Sequence, residues 1–160
     1  MMRDAIGAQI SKFLEGFYEV LPKDSISFFE PTELELLMSG MPSVDLKDLK
    51  LNTDYQGYSP NDQVIKWYWE ILEEYTNEDL ARLVQFITGT SKIPLEGFSK
   101  LQGMHGPQKI SIHKDCHIDQ LPKSHTCFNQ LDLPNYPTKE MLKERLRVSI
   151  TWGSDGFGFM

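Results

Sequence analysis

Cys127 is the side chain in this sequence best suited to covalent chemistry. It lies in residues 121–134 (LPKSHTCFNQLDLP), a segment bracketed by Pro122 and Pro134 that fix the backbone around it. Small polar residues precede the thiol, which favours a reachable side chain, and in a strand His125 would share its face. A cysteine in a strand is otherwise commonly a small buried hydrophobic residue. Both interpretations stay open from the residues alone.

The kind of chemistry depends on what stands beside the thiol. A hydrolytic cysteine needs an adjacent base that generates thiolate. Exchange between thioesters needs much less, because the attacking and leaving thiols have similar pKa values and the reaction is nearly energy-neutral. No Cys/His/Asn protease signature is evident around Cys127. The residue is therefore better suited to carrying an acyl group than to cutting a peptide.

A zinc site is the alternative use of the same region. The spacing H-x2-C-H…H-x-C matches no common zinc finger or ribbon, and no C-x2-C pair is present. We therefore expect no metal and no cofactor, with His113 and His117 as solvated residues at loop edges and Cys116 as a spectator. Five side chains within fifteen positions supply the potential ligands: His113, Cys116, His117, His125 and Cys127.

Composition excludes several classes of protein. The 160 residues are 24% charged and 40% hydrophobic, which is typical of one globular unit. A net charge of −7 argues against nucleic acid as the main partner, because phosphate binding needs clustered Lys and Arg. No apolar stretch is long enough for a membrane span, and no secretory signal is recognisable at the N-terminus. With 2 cysteines, a reducing intracellular compartment is expected.

The first part of the chain predicts two helices followed by a break. Apolar residues recur at helical spacing over residues 5–21. A second, shorter helix is expected from Pro31 to Gly40. Gly and Pro then punctuate residues 39–43 (SGMPS), which we interpret as a hinge or domain boundary. Residues 44–58 are expected to be irregular and rich in turns.

The rest of the chain predicts further helices and a few strands. Apolar alternation indicates strands at residues 108–113 and 125–133. Helices first and a mixed half after them favour an α+β fold over a doubly wound sheet. Capping residues and apolar spacing predict three more helices: one after Ser59 as N-cap and Pro60, one capped by Asn77 and ended by residues 88–91, and one from Thr138 to Gly153.

Residues 88–91 (TGTS) have the composition of a binding turn. They are not a phosphate-binding loop, because no lysine follows in the required place. The simplest interpretation is the C-terminus of a helix, and a binding turn is the less favoured alternative.

Segments spread along the chain occur together, and in this order, in one known family. The most specific is residues 121–134, with the pattern LPxxHTCFNxLxLP. The others are residues 33–40 (ELELLMSG), 65–72 (IKWYWEIL), 85–94 (QFITGTSKIP), 95–98 (LEGF) and 156–160 (GFGFM). Together they resemble the C-terminal part of HECT-type ubiquitin ligases, and most closely the large HUWE/TOM-type ligases.

The resemblance implies a division of the chain. Residues 1–39 are similar to the last helices of the HECT N-lobe, residues 40–44 to the hinge, and residues 45–160 to a complete C-lobe of a small mixed sheet packed with helices. The N-lobe surface that recruits a ubiquitin-conjugating enzyme would then be largely absent. The implied partners are ubiquitin, that enzyme and protein substrates, without nucleic acid or membrane.

The resemblance also implies roles for Cys127 and Phe157. Cys127 would accept the C-terminal glycine of ubiquitin as a thioester and yield it to a substrate lysine. Phe157 is the fourth residue from the end, a position that in this family is an aromatic needed for transfer to lysine. The alternative function is a truncated, poorly active module that binds ubiquitin or a partner without turnover. A cysteine protease is the third and least favoured interpretation.

Four neighbours of the cysteine match further family residues. His125 and Thr126 would shape the loop beside the nucleophile, and His125 is also a candidate for proton handling. Asn129 and Leu131 would frame the same strand. These roles follow from the resemblance and not from the spacing.

Overall fold

The chain divides into two units, residues 1–39 and residues 40–160. The computed structural model describes the backbone of residues 2–31, 33–35 and 43–155, and the side chains of these ranges except at their outer ends, before residue 6 and after residue 152. Helices accompany a small mixed sheet, so the predicted α+β class is confirmed. The predicted hinge at residues 40–44 lies mostly outside the described residues, and Phe157 lies wholly outside them.

The first unit is helical. Helix α1 spans Met2–Val20, close to the predicted 5–21, and a single turn, α2, follows at Lys23–Ile26. Residues 31 and 33–35 are also helical, which is the beginning of the helix predicted from Pro31. The continuation of that helix toward Gly40 falls on residues that the structure does not describe.

The second unit contains the remaining elements. Its helices are Leu46–Leu51 (α3), Gln63–Glu73 (α4), Asn77–Thr88 (α5) and Lys139–Asp155 (α6), with 3-10 turns at Phe98–Lys100 and Thr126–Phe128. Its strands are Thr53–Gln56 (β1), Gln102–Gly103 (β2), Gly106–Pro107 (β3), Ile110–Asp115 (β4), Lys123–His125 (β5) and Gln130–Pro134 (β6). None of the helices among the described residues has the length and apolar character needed to cross a membrane.

Strands β4 and β6 form the centre of the sheet. Its order is β1-β4-β6-β5, with β1 and β6 parallel to β4 and β5 antiparallel to β6. Ile110 and Ile112 on β4, and Leu131 and Leu133 on β6, are each at most 1% exposed. This inner face packs with buried residues of helices α4, α5 and α6 in one hydrophobic core. The cysteine segment is therefore attached to the most rigid part of the unit.

The expectation that residues 44–58 are irregular is wrong. Asp45 caps helix α3, because its carboxylate accepts hydrogen bonds from Lys47 N at 2.8 Å and Asp48 N at 3.3 Å. Strand β1 follows and pairs with β4. It has only 4 residues and one buried side chain, Thr53, so apolar alternation could not indicate it.

Two predicted helix caps are also wrong. Ser59 lies outside α4: it forms a turn in which Asp62 Oδ2 accepts from Ser59 N at 2.9 Å, and the helix begins at Gln63. The cap of α5 is Thr76, not Asn77. The Thr76 hydroxyl and the Asp79 carboxylate form a reciprocal capping box, which moves the N-cap one residue upstream of the predicted position.

The remaining differences concern element ends. The predicted strand 108–113 is β4 at Ile110–Asp115. The predicted strand 125–133 is interrupted: β5 ends at His125, a 3-10 turn follows, and β6 begins at Gln130. Helix α6 runs past Gly153 to Asp155, since one glycine costs only about 1 kcal/mol relative to alanine.

The Thr76 cap provides a test of the fold. We predict that Thr76→Ala lowers the free energy of unfolding by about 1 kcal/mol, because an amide at the start of α5 loses its acceptor. Thr76→Ser keeps the hydroxyl and should remain within a few tenths of a kcal/mol of the wild type. Urea unfolding followed by circular dichroism measures both, and equal stability of Thr76→Ala and wild type would contradict the capping box.

Candidate functional site

Cys127 lies on a short connection between two antiparallel strands. Residues 126–129 link β5 to β6, and His125 is paired with Gln130 across the base of the connection. The thiol is exposed and free, and it stands in a 3-10 turn rather than in a strand. The structure therefore favours the reachable thiol over the buried hydrophobic residue.

A small hairpin supports the turn from one side. Strands β2 and β3 pair antiparallel, and between them Met104 N donates to Cys127 O at 2.8 Å. Gln108, directly after β3, donates from Nε2 to Phe128 O at 2.9 Å. The carbonyl groups of Cys127 and of the next residue, Phe128, are thus hydrogen-bonded to a second element, which restrains the backbone that carries the sulfur.

Asn129 fastens the turn to that hairpin from inside. Its side chain is fully buried, and Nδ2 donates to Gln102 O at 3.1 Å and to Gln108 O at 2.8 Å. Both neighbours are carbonyl oxygens that can only accept, so the NH2 end of the amide must face them. The backbone carbonyl of Asn129 accepts from Ser111 N on β4 at 3.0 Å. One residue therefore joins the cysteine turn, the hairpin and the sheet.

The backbone at Asn129 is unusual as well. With φ of 48° and ψ of 42°, it is the non-glycine residue with positive φ in the described part of the chain. Asparagine tolerates this left-handed conformation better than most residues. The position thus demands a residue that both reverses the chain and supplies two buried donors.

His125 does not hydrogen-bond to the thiol in the described structure. Its Nε2 lies 2.9 Å from Asp132 Oδ2, while Gln130 Nε2 donates to Asp132 Oδ1 at 2.6 Å. Because a carboxylate can only accept, Nε2 of His125 carries the hydrogen that is donated to Asp132. The imidazole is half exposed and held toward β6. It therefore lies beside the cysteine turn without a direct contact to sulfur.

The other predicted site residues occupy distinct places. Thr126 is half-buried and faces Gly89 at the end of α5. Leu131 is fully buried in the middle of β6, between Ile112 on β4 and Ser124 on β5, and so anchors the strand that follows the turn.

A shallow groove runs beside the turn across one face of the sheet. Its volume is about 440 Å³. Apolar contact comes from Phe128 and Pro107, and polar groups from strands β1, β4 and β6 complete the lining: Asp54, Gln56, Ser111, His113 and Gln130, with Gln108 and Lys109 between β3 and β4. The groove brings polar side chains and the edge of the cysteine turn together.

The potential metal ligands are divided between separate places. Ligand atoms of Asp115, Cys116 and His117 lie within 4.8 Å of one another just after β4. The hydrogen bond from the backbone N of His117 lowers the pKa of the Asp115 carboxyl most, and the hydrogen bond from the His117 side chain lowers it further. His117 is exposed, as predicted, but His113 is half-buried within β4 and not at a loop edge. In the described structure this group does not include His113, His125 or Cys127.

Comparison with known proteins decides the family. The sequence matches the HECT domain (ubiquitin-transferase) over residues 1–160. The chain belongs to the HECT-domain family. The predicted resemblance is thereby confirmed, and the HUWE/TOM type is represented among the similar proteins.

Three relatives show the extent of the similarity. E3 ubiquitin-protein ligase UPL1 of Arabidopsis thaliana is 52% identical over 160 residues, 99% of this chain and 4% of that protein. HUWE1 of Mus musculus is 51% identical over 158 residues, 98% of this chain and 4% of that protein. The ligase pub1 of Schizosaccharomyces pombe is 48% identical over 153 residues, 96% of this chain and 20% of that protein. The chain thus spans a small share of these HECT relatives.

Several residues around Cys127 could not be predicted from the sequence. Met104 and Gln108 act on the turn from some twenty positions away, and no periodicity indicates such contacts. The available signal is Gly103, where a Cβ would lie 2.9 Å from Gln108 Cβ, so the close pairing of the hairpin favours glycine there. Asp132 gives no signal of its own, because a polar residue in an alternating strand is expected on the solvent-facing side.

Asn129 gives a test of how the turn is held. We predict that Asn129→Gly lowers the free energy of unfolding by about 1–3 kcal/mol, because the partly buried hydrogen bonds to Gln102 O and Gln108 O lose their donor. Asn129→Ala should cost about 1 kcal/mol more, since alanine also resists the left-handed backbone. Urea unfolding measures both variants. Equal losses for Gly and Ala would contradict the role of the backbone conformation, and no loss in either would contradict the buried amide.

Proposed function

We propose that the chain is a ubiquitin transferase that carries ubiquitin as a thioester on Cys127 and passes it to a substrate lysine. One observation carries the proposal: within a HECT-family sequence, the free, exposed cysteine of the most specific motif stands on a turn that the β2–β3 hairpin and strand β4 hold in place. Its second free cysteine, Cys116, follows β4 at the other end of the paired strands.

The first step is thioester exchange. The Cys127 thiolate attacks the carbonyl carbon at the C-terminus of ubiquitin, which is bound as a thioester to the conjugating enzyme. A new S–C bond forms, the old one breaks, and the thiol of the conjugating enzyme leaves. Because one cysteine thioester replaces another, the step is nearly balanced in energy and needs no strong base.

The second step moves ubiquitin to nitrogen. A neutral lysine amine attacks the thioester on Cys127, the nitrogen loses a proton, and the Cys127 thiol leaves as an amide forms. Amides are more stable than thioesters, so the step is downhill. The contribution of the protein is then mainly positional: it holds the carbonyl carbon near the approaching amine.

The groove beside Phe128 suits the acyl donor. A volume of about 440 Å³ is too small for a folded domain but fits an extended peptide segment. We place the C-terminal segment of ubiquitin along it, with its last carbonyl at Cys127. Polar residues of the sheet face, such as Ser111 and Gln130, supply hydrogen-bonding groups to an extended backbone.

The lobe assignment belongs to the same proposal. Residues 1–39 correspond to the end of the N-lobe, residues 40–44 to the hinge, and residues 45–160 to the C-lobe that carries Cys127. The conjugating enzyme would dock chiefly on N-lobe surface beyond this chain, and the hinge would let one cysteine face first the donor and then the acceptor. A reaction inside the cell belongs to the same proposal and is supported by the two free cysteines.

The acceptor cysteine is testable without a conjugating enzyme. We predict that a chemically activated ubiquitin thioester gives an adduct with the full chain and with Cys116→Ala but not with Cys127→Ala, and that thiol reductant removes it. Intact-mass spectrometry reads out all three proteins. Cys116 is the matched control, because it is the other free and exposed cysteine.

Two results would contradict the thioester. An adduct that persists in Cys127→Ala would assign the acceptor to another residue. Absence of an adduct on folded wild-type protein would favour the alternative, a module that binds ubiquitin without turnover.

Phe157 is proposed to act in the second step only. We predict that Phe157→Ala forms the Cys127 thioester at a rate close to wild type but transfers ubiquitin to free lysine at least tenfold more slowly, an effect of about 1.4 kcal/mol on the barrier. Phe159→Ala is the control, as a second aromatic two positions away. Single-turnover discharge on non-reducing gels measures both, and equal rates for the two variants would refute a specific role for Phe157.

A further inference from the structure

The end of helix α5 meets the cysteine turn at a glycine. Gly89 ends the helix with φ of 77°, and its N–H donates to Gln85 O at 2.8 Å. A Cβ at this position would lie 3.3 Å from Thr126 Cβ and 3.7 Å from both Cγ2 and Oγ1 of the same side chain. The backbone of Gly89 therefore lies so close to the side chain of Thr126 that an added Cβ would have to displace it by a few tenths of an ångström.

Gly89 lies in a turn whose neighbouring residues are held by hydrogen bonds. Thr88 Oγ1 lies 2.8 Å from both Val84 O and Thr90 O, and Thr90 N donates to Thr88 Oγ1 at 3.3 Å. Thr90 Oγ1 accepts from Lys92 N at 3.1 Å. The preceding helix is fixed by core residues, with Val84 fully buried. The turn around Gly89 is thus held in place, so a side chain added there would press on Thr126 rather than move the turn.

The cysteine turn is also held by the hairpin. Met104 N donates to Cys127 O, and the Asn129 amide binds the hairpin backbone. The backbone after Thr126 is therefore restrained, whereas the Cys127 side chain is exposed and can turn. We expect a displacement of Thr126 to change the direction of the Cys127 side chain.

We propose that Gly89, within the TGTS turn, is a positioning residue for Cys127. The turn supports Thr126, and because glycine leaves room for the Thr126 side chain, it determines where the Cys127 thiol points. The inference rests on the proposed thioester chemistry. Under this proposal, the TGTS segment both ends helix α5 and contributes to acyl transfer. Misplacement of a reacting group by a fraction of an ångström is enough to slow a reaction that depends on orientation.

The test is Gly89→Asn with Gly57→Asn as its matched control. Asparagine tolerates positive φ, so the substitution mainly adds a Cβ and leaves little backbone strain. Gly57 has φ of 74° and a Cβ there would lie 3.0 Å from Lys114 Cβ, an equally crowded site. Lys114 is paired with Leu133, three positions along from the Ser111–Gln130 pair beside the cysteine turn.

Each protein is assayed with activated ubiquitin thioester over a range of concentrations, with iodoacetamide as a small probe of thiol access, and by urea unfolding. We expect Gly89→Asn to lower the maximal rate of thioester formation about tenfold, with the half-saturating ubiquitin concentration and the alkylation rate each within about twofold of wild type. Gly57→Asn should leave the maximal rate unchanged at similar stability.

The outcomes separate the two proposals. Failure of the wild type to form an adduct refutes the thioester itself. An active wild type with equal maximal rates for Gly89→Asn and Gly57→Asn overturns the positioning role. A loss in Gly89→Asn that tracks its loss of stability, or one confined to the half-saturating concentration, overturns it as well.

Discussion

The buried amide of Asn129 is the interaction on which the geometry around Cys127 depends. Its Nδ2 holds two carbonyl groups of the β2–β3 hairpin, while its backbone reverses the chain and bonds to β4. Leaving a buried carbonyl without a donor costs about 1–3 kcal/mol, so removing this amide affects several elements at once. The thiol of Cys127 is exposed, and water does not restrain its direction, so the backbone that carries it must be held by other parts of the protein.

The rest of the second unit can be understood as support for that turn. Strand β6 leaves the turn and enters the core at once, with Leu131 and Leu133 fully buried. Helix α5 ends beside the turn, and at Gly89, which caps its C-terminus, a Cβ would lie 3.3 Å from Thr126 Cβ. Ion pairs from Lys139 to Glu70 and Glu74 connect α6 to α4 on the outside of the same core. Exposed pairs of this kind contribute little, so the apolar core provides most of the rigidity.

Much of the fold, and the choice of Cys127 as the reactive residue, could be predicted from the sequence, because both depend on patterns of residues that are close together in the chain. Apolar spacing indicated α1, α4, α5 and α6, and the specific motif around Cys127 indicated the family. Strand β1 was missed because 4 residues with one buried side chain give no alternation. The break between β5 and β6 was missed for a different reason: it depends on the left-handed backbone at Asn129, which tertiary contacts stabilise.

The neighbours of the nucleophile were the least predictable part. His125 was expected to share a face with Cys127, but that depended on an unbroken strand, and the structure directs its ring to Asp132 instead. Met104 and Gln108 reach the turn only through the folding of a distant hairpin. Long-range contacts of this kind leave no trace in spacing or composition, whereas a glycine with no room for a side chain, such as Gly103, is a usable sign.

The most direct measurement of the central claim is to map the acylated residue. The full chain is treated with activated ubiquitin thioester and digested with trypsin, which separates Cys116 in residues 115–123 from Cys127 in residues 124–139. We predict the C-terminal remnant of ubiquitin on the peptide 124–139, in thioester linkage that reductant removes. The remnant on 115–123, or on neither cysteine peptide, would contradict the assignment of Cys127 as the residue that carries ubiquitin.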